Sequence, residues 1–312
     1  MPWYDLLLII LASAVIITFL AFGWRIAFGA YHPRRRSLME TRAIETENTP
    51  DLMAAYDAWE KTSYLVRSPF GYDLMTHFFP CSGPETGINH QFVIIAHGFT
   101  YTHHGAIKYA SIMKDLGFNV VMFDERYHGE SGGSNCTLGY YEQHDLRAVI
   151  DDTCKRFGPD LFLGTYGESM GAVTAILEQA GDDRLRFVIA DCPFADLRGQ
   201  LRHLVKRTHF IPVWPSLPIA EMIFRAKTKA RIAAVSPIVA VTKAKQPILF
   251  IHGRADGFIP YESSVRLHAA CPDPKALYLA DNDARHAESF RKNREEYIAV
   301  VNRFMKDHVL KT

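Results

Sequence analysis

From residue 63 onward the chain alternates short, continuous apolar runs with helical stretches, and few architectures accept that rhythm. The runs at 74–79, 92–96, 120–123, 161–164, 187–190, 248–251 and 276–279 read as strands, and the stretches near 105–116, 140–156, 170–180, 261–270 and 289–308 read as helices. Runs without a polar face suit strands covered on both sides. The expected fold class is therefore α/β, a mainly parallel central sheet with helices on both faces. In such a sheet, binding and chemistry belong at the carboxyl ends of the strands. One interval breaks the rhythm. Residues 193–246 contain no good strand but do contain helical pieces and the segment FIPVWPSLP. That is too long for a plain loop and is expected to be a helical cap inserted over the sheet.

The N-terminus follows a different rule. Residues 6–24 carry no charge over 19 positions, and a helix of that length covers roughly 28 Å, close to the hydrocarbon thickness of a bilayer. Trp3, Tyr4 and Trp24 sit at its ends, where amphipathic rings favour the headgroup zone. A helix packed on the outside of a core would show a polar stripe to water, and this run has none. A cleavable signal peptide would carry positive charge before the run; here Arg25, Arg34, Arg35 and Arg36 all follow it. The reading is an uncleaved single-pass anchor over residues 1–28 in a cell membrane, with the rest of the chain cytoplasmic. Residues 29–62 read as a basic linker followed by a short amphipathic helix that starts at Thr49-Pro50-Asp51.

Composition closes off other classes. With 312 residues, 48% apolar and 22% charged, the chain is neither disordered nor fibrous. A formal charge of +1 gives no support for nucleic acid as a partner. Five cysteines form no CxxC pair, so packed, reduced thiols are expected rather than a disulfide framework or a thiolate metal site. His103-His104 has no carboxylate or third histidine at ligand spacing nearby, so no metal is expected there.

The sharpest local signal is Gly167-Glu168-Ser169-Met170-Gly171, which follows the 161–164 run and leads into the helical VTAILEQA. A G-x-S-x-G between a strand and a helix places a serine on a tight, strained turn with its hydroxyl exposed. Side chains at 167 and 171 would collide with the neighbouring strand and helix. The same turn puts the Met170 N–H at a helix N-terminus, where developing negative charge is stabilised. Ser169 is the candidate nucleophile.

Residues 63–309 resemble the α/β-hydrolase superfamily. Ser68-Pro69-Phe70-Gly71-Tyr72-Asp73-Leu74 is similar to its first hairpin, Ala96-His97-Gly98-Phe99 to its oxyanion segment, and Asp124-Glu125-Arg126-Tyr127-His128-Gly129-Glu130-Ser131 to its D-x-R-x-x-G-x-S loop. Within it the chain resembles bacterial membrane-anchored hydrolases of the YqkD type, which are similar to Bem46-like proteins and cinnamoyl esterases and often labelled serine aminopeptidase-like. The resemblance implies an α/β-hydrolase domain over 63–312 and a triad in the order serine, acid, histidine. Asp256, in HGRADGFIP, matches the acid, and His286, after ALYLA, matches the base; Asp281 and Asp283 are weaker candidates for the acid. The oxyanion hole is expected from the backbone N–H groups of Phe99 and Met170. His97 and His128 are expected to shape the loops, and Glu168 to be structural or to line the entrance.

Residues 198–245 hold ten Lys and Arg against the single acid Glu221. Such a face is either simply solvated or attracted to an anionic leaflet. The expected function is hydrolysis of an apolar or lipid-like carboxylic ester without metal or organic cofactor. The partners are then a small-molecule or lipid ester and the membrane. An amidase or aminopeptidase using the same triad, or a catalytically silent membrane-tethered scaffold, are the alternatives.

Overall fold

The computed structural model describes residues 1–81, 89–208 and 210–310. Three helices open the chain: α1 (Trp3–Tyr31), α2 (Leu38–Asn48) and α3 (Pro50–Ala58). Then follow β1 (Thr62–Arg67), β2 (Asp73–Phe79), β3 (Gln91–Ala96), α4 (Ile107–Asp115), β4 (Asn119–Phe123), α5 (Glu142–Phe157), β5 (Phe162–Glu168), α6 (Met170–Gln179) and β6 (Leu185–Asp191). The interval 193–246 holds α7 (Leu197–Arg207), α8 (Val213–Thr228) and α9 (Pro237–Ala240) with short 3-10 turns. The chain ends with β7 (Ile248–Gly253), α10 (Glu262–Ala270), β8 (Lys275–Ala280), α11 (Ser289–Lys292) and α12 (Arg294–Phe304).

Eight strands form one sheet in the order β1-β2-β4-β3-β5-β6-β7-β8. β2 runs antiparallel to β1 and β4, and every other pairing is parallel. This is the α/β-hydrolase fold. One apolar layer, including Ile94, Val121, Leu163 and Ile176, packs one face of the sheet. A second, including Ile95, Tyr109, Phe187 and Tyr297, packs the other. β3 to β7 are therefore covered on both faces, which explains their unbroken apolar runs.

Residues 29–62 are not the linker and single short helix that the sequence suggested. α1 continues to Tyr31, and a second helix, α2, spans most of the basic connection. Ser37 caps α2 by accepting from the Glu40 N–H, while the Glu40 carboxylate accepts from the Ser37 N–H. This is a reciprocal capping box.

α1 has two parts. Up to about residue 20 nearly every side chain is exposed, and that part is long and apolar enough to cross a membrane by length and composition. From Gly23 onward the helix lies on α8. A Cβ at Gly23 would come within 2.3 Å of Ile219 Cγ2, so only glycine allows this approach. Ala27, Ala30 and Tyr31 are buried in a third apolar cluster with Leu217, Ala220 and Phe224 from α8. The inner end is tied down by polar bonds. The Cys136 N–H donates to the Tyr31 carbonyl at 2.9 Å, and Arg35 donates to the Tyr127 carbonyl at 2.7 Å.

Candidate active site

Ser169 sits between β5 and α6 with φ 54° and ψ −112°, a left-handed backbone that costs free energy in a residue with a Cβ. The flanking glycines make the turn possible. A Cβ at Gly167 would lie 2.2 Å from the Gly171 carbonyl oxygen in α6, and one at Gly171 would lie 2.2 Å from the Ala96 carbonyl oxygen at the end of β3. The Ser169 N–H donates to the Asp191 carbonyl at 2.8 Å, which fixes the turn to β6.

The fold brings Ser169, Asp256 and His286 together from the ends of β5, β7 and β8. Ser169 Oγ is 3.0 Å from His286 Nε2, and His286 Nδ1 is 2.7 Å from Asp256 Oδ2. Asp256 Oδ1 accepts from the Phe258 and Ile259 N–H groups, each at 2.8 Å. A second imidazole, His252, donates from Nε2 to Asp256 Oδ2 at 3.2 Å and to the Ile259 carbonyl at 2.9 Å, while its Nδ1 accepts from Ser264. Burial pushes the Asp256 carboxyl up, but the bonds from His252 and His286 outweigh it and hold the group well below the usual carboxylate range. Asp256 is thus an ionised acceptor. Asp281 and Asp283 lie outside this constellation, exposed beside Arg254 and Arg285.

Phe99 and Met170 both border the serine. Among the described residues, neither of their backbone N–H groups donates a hydrogen bond. Two buried histidines fix the loop that carries Phe99. His97 accepts at Nε2 from the Glu125 N–H (2.9 Å) and donates from Nδ1 to the Gly98 carbonyl (2.8 Å). His128 accepts at Nε2 from the Thr100 N–H (3.1 Å) and donates from Nδ1 to the Arg126 carbonyl (2.8 Å). Both bonding patterns require the neutral ring. Burial pushes His97 down to about 3 and lowers His128 as well.

These shifts carry a stability consequence. The folded state keeps His97 neutral, whereas the unfolded chain protonates it below about pH 6.5. Stability from this group is complete above that pH and is lost on acidification from pH 6.5 toward 3. The slope is about 1.4 kcal/mol per pH unit. His97→Gln keeps an acceptor for the Glu125 N–H but cannot titrate. Denaturant unfolding of both proteins from pH 7 to pH 5 is expected to show a flatter acid limb in the variant. Parallel limbs would contradict this account.

Behind the nucleophile lies a buried polar layer. Lys108 Nζ is 2.6 Å from Glu168 Oε2, and the Tyr109 hydroxyl donates to the same carboxylate at 2.6 Å. Tyr109 and Tyr297 also donate to Asp191 at 3.0 and 2.9 Å. Glu168 is thus held as a structural carboxylate that lines the site, as expected from sequence. The family-like loop 124–131 is structural too: Asp124 accepts from the His103 and Glu130 N–H groups, and Ser131 donates to the Asp124 carbonyl.

Two features escaped sequence reasoning. His252 lies in the same HGRAD segment as Asp256, but nothing in the spacing tied its ring to the acid. His103 does find the partners its local sequence lacked. His77 from β2 and Asp124 after β4 place donor atoms within 4.8 Å of one another and of His103. Hydrogen bonds already engage the cluster, with His103 Nδ1 donating to Asp124 Oδ1 at 2.9 Å and Ser63 bonded to His77 Nδ1 at 2.8 Å.

Two cavities meet at Ser169, with Phe99 and Phe258 shared between them. One, about 480 Å³, is mixed, with the charged or polar Arg36, Glu45, Asn48, Lys108, Glu168 and Arg291 beside apolar Ile44, Phe99 and Phe290. The other, about 260 Å³, is apolar and passes between α7 and α1.

Comparison with known proteins places this geometry in context. The family model described as "Serine aminopeptidase, S33" matches residues 87–240. The uncharacterized protein YqkD of Bacillus subtilis is 36% identical over 298 residues, 95% of this chain and 94% of its own. The lysophosphatidylserine lipase ABHD12 of Danio rerio is 24% identical over 197 residues, 61% of this chain and 49% of its own. Among solved structures, the esterase Pf2001 of Pyrococcus furiosus superposes with a TM-score of 0.65 at 22% identity, covering 83% of this chain and 95% of its own. That likeness speaks for the fold.

Proposed function

This chain belongs to the serine aminopeptidase, S33, family of α/β-hydrolases, and from that premise we propose that it is a membrane-anchored serine hydrolase of carboxylic esters with apolar, lipid-like acyl groups. The observation that carries the reading is the unbroken line of hydrogen bonds from Ser169 Oγ through His286 to Asp256, beside two backbone N–H groups that bond to none of the described residues.

In the proposed reaction His286 Nε2 takes the Ser169 proton as Oγ attacks the ester carbonyl carbon. The Phe99 and Met170 N–H groups receive the charge that develops on the carbonyl oxygen. The carbon–oxygen bond to the alcohol then breaks, and His286 passes the proton to the departing alkoxide. Water enters, loses its proton to His286 and attacks the acyl-enzyme; the acyl–Oγ bond breaks, freeing the acid, and His286 returns the proton to Ser169 Oγ. Asp256 holds the imidazole in the tautomer that accepts at Nε2 and stabilises its charged form.

Ester rather than peptide chemistry is favoured by how the acids near the serine are used. An aminopeptidase needs a free carboxylate for the substrate's amino group. In the mixed cavity Glu168 is bound to Lys108, Glu45 accepts from the Tyr101 hydroxyl at 2.7 Å, and Glu288 is paired with Arg291. The apolar cavity at Ser169 suits an acyl chain, and a relative that carries the name of a lysophospholipid lipase points the same way. α1 is read as the single-pass anchor, with the catalytic domain on the cytoplasmic side. The exposed Phe210, Trp214 and Met222 of the basic segment after β6 are read as resting on the bilayer.

The test uses the full chain in detergent micelles. A series of p-nitrophenyl esters is compared with aminoacyl p-nitroanilides, together with fluorophosphonate labelling. Esters are expected to exceed anilides by at least a hundredfold in kcat/KM, with label on Ser169. Faster anilide turnover would favour the peptidase. A folded protein that takes no label would favour the silent scaffold.

A further inference from the structure

We infer that α1 is a wall of the substrate site as well as an anchor, and that the two cavities meeting at Ser169 are the halves of one site for an amphiphilic ester: a long acyl chain lies between α1 and α7, and a polar alcohol portion lies in the charged cavity. This rests on the hydrolase reading above and specifies the substrate class.

The argument begins with the shared boundary. Ser169, Phe99 and Phe258 border both cavities, so a carbonyl held at the serine has an apolar space on one side and the mixed, charged one on the other. The apolar space is lined on one side by Ile26, Gly29 and Ala30 of α1, and on the other by Leu201, Leu204 and Val205 of α7. Hydrocarbon keeps apolar surroundings in this space, whereas in the charged cavity it would leave polar groups without partners. A chain of many methylenes therefore discriminates strongly in favour of this side.

The wall is fixed. Gly23 closes α1 onto Ile219, Tyr31 meets Phe224 edge-on at 6.5 Å between ring centroids, and Lys227 lies over the Trp24 ring at 5.5 Å. The position of the groove also matters. The residues of α1 that line it follow directly on the part whose side chains are exposed and apolar. On this reading a chain drawn out of a bilayer along α1 passes Arg25, which also lines the groove, before it lies beside Ile26, Gly29 and Ala30.

The opposite cavity supplies what a hydrated alcohol portion needs. Arg36 donates to Thr100 Oγ1 at 3.0 Å and keeps further N–H donors, and Asn48 and Thr49 add neutral polar groups. An ester that is apolar on both sides would leave this cavity's charged groups facing hydrocarbon, which is costly.

Two measurements on the full chain in lipid nanodiscs test the inference. The first uses an alkyl fluorophosphonate with a diazirine at the far end of its chain. After it labels Ser169, photolysis and peptide mapping are expected to find the chain attached to residues 25–31 or 197–208. Attachment only to residues 36–49 or 288–291, or to no part of the protein, overturns the assignment and leaves the hydrolase reading standing. Absence of label on Ser169 overturns that reading and the inference with it.

The second measurement is Gly29→Phe, at a groove-lining site where an added Cβ meets no atom within 4 Å, so a side chain can start there without a clash. The ratio of kcat/KM for a palmitoyl ester to that for an acetyl ester is expected to fall at least tenfold. Val15→Phe, on the exposed part of α1, is expected to leave the ratio unchanged. An unchanged ratio in Gly29→Phe, or an equal fall in both variants, overturns the role given to α1.

Discussion

Ser169→Ala is expected to remove ester hydrolysis almost entirely, with kcat falling on the order of 10⁶-fold. The alanine takes away the oxygen that, among the described residues, His286 Nε2 bonds, and it leaves the backbone untouched, since φ 54° is no worse for alanine than for serine. The variant should therefore unfold at the temperature of the wild type, or slightly above it, because no hydroxyl remains on the strained turn. Some rate above the uncatalysed reaction will persist. The Phe99 and Met170 N–H groups still bind the carbonyl oxygen, and a water can replace the missing nucleophile. Paired measurements of burst-phase kinetics and thermal unfolding check this. A variant with more than a hundredth of wild-type kcat would show that Ser169 is not the nucleophile.

Asp256→Asn is expected to lower kcat by about 10⁴ while leaving the serine in place. The surroundings dictate how the amide would sit. The Phe258 and Ile259 N–H groups both need an acceptor at the position of Oδ1, so the amide oxygen must go there. The amide NH2 then faces His286 Nδ1 and His252 Nε2, which now donate to the carboxylate. His286 responds by taking the other tautomer, with its proton on Nε2 and aimed at Ser169. A ring in that state cannot accept the serine proton. Fluorophosphonate labelling should become much slower but still end on Ser169, which separates this variant from Ser169→Ala. A loss of less than tenfold would mean that another group orients the ring, and His252 is not placed to do so.

Why some of this was legible from sequence and some was not follows from where each element sits. β2 to β8 were recognisable because both faces of most of them are covered, so their side chains need not alternate. β1 was missed as a strand. It lies at the edge with mostly exposed side chains, and a partly solvated TSYLVR gives no continuous apolar run. α2 was missed because its sequence is polar on most faces, although Ser37 and Glu40 stood at capping-box spacing and would have marked its start. The 289–308 stretch was read as one helix. It breaks at Asn293, whose side chain leaves the helical pattern to bond Asn282 and the Asp281 carbonyl.

The site divides in the same way. Ser169 was legible from local steric demands, because the glycines beside it have no other reason to be adjacent to a strand and a helix at once. Asp256 and His286 followed only through resemblance, since nothing local distinguishes them from other polar residues after strands. Contacts between distant segments left no trace in the pattern. The approach of His77 to His103 depends on how strands are ordered across the sheet, which one-dimensional spacing does not encode, whereas that of His252 to Asp256, four residues on, depends on how the turn after β7 folds back.

The close fit at Gly23 has a consequence for how such a chain can change. The outer stretch of α1 answers to one demand, oiliness, which many sequences meet equally well. Its inner end, from Gly23 to Tyr31, answers to a different one, since Gly23, Ala27 and Ala30 must stay small to let α8 come near. On the proposed reading of α1 as an anchor, splicing in a foreign helix of equal greasiness would keep the protein at the same address but hold the two helices apart, and the loss would show up in which molecules are cut rather than in where the protein resides.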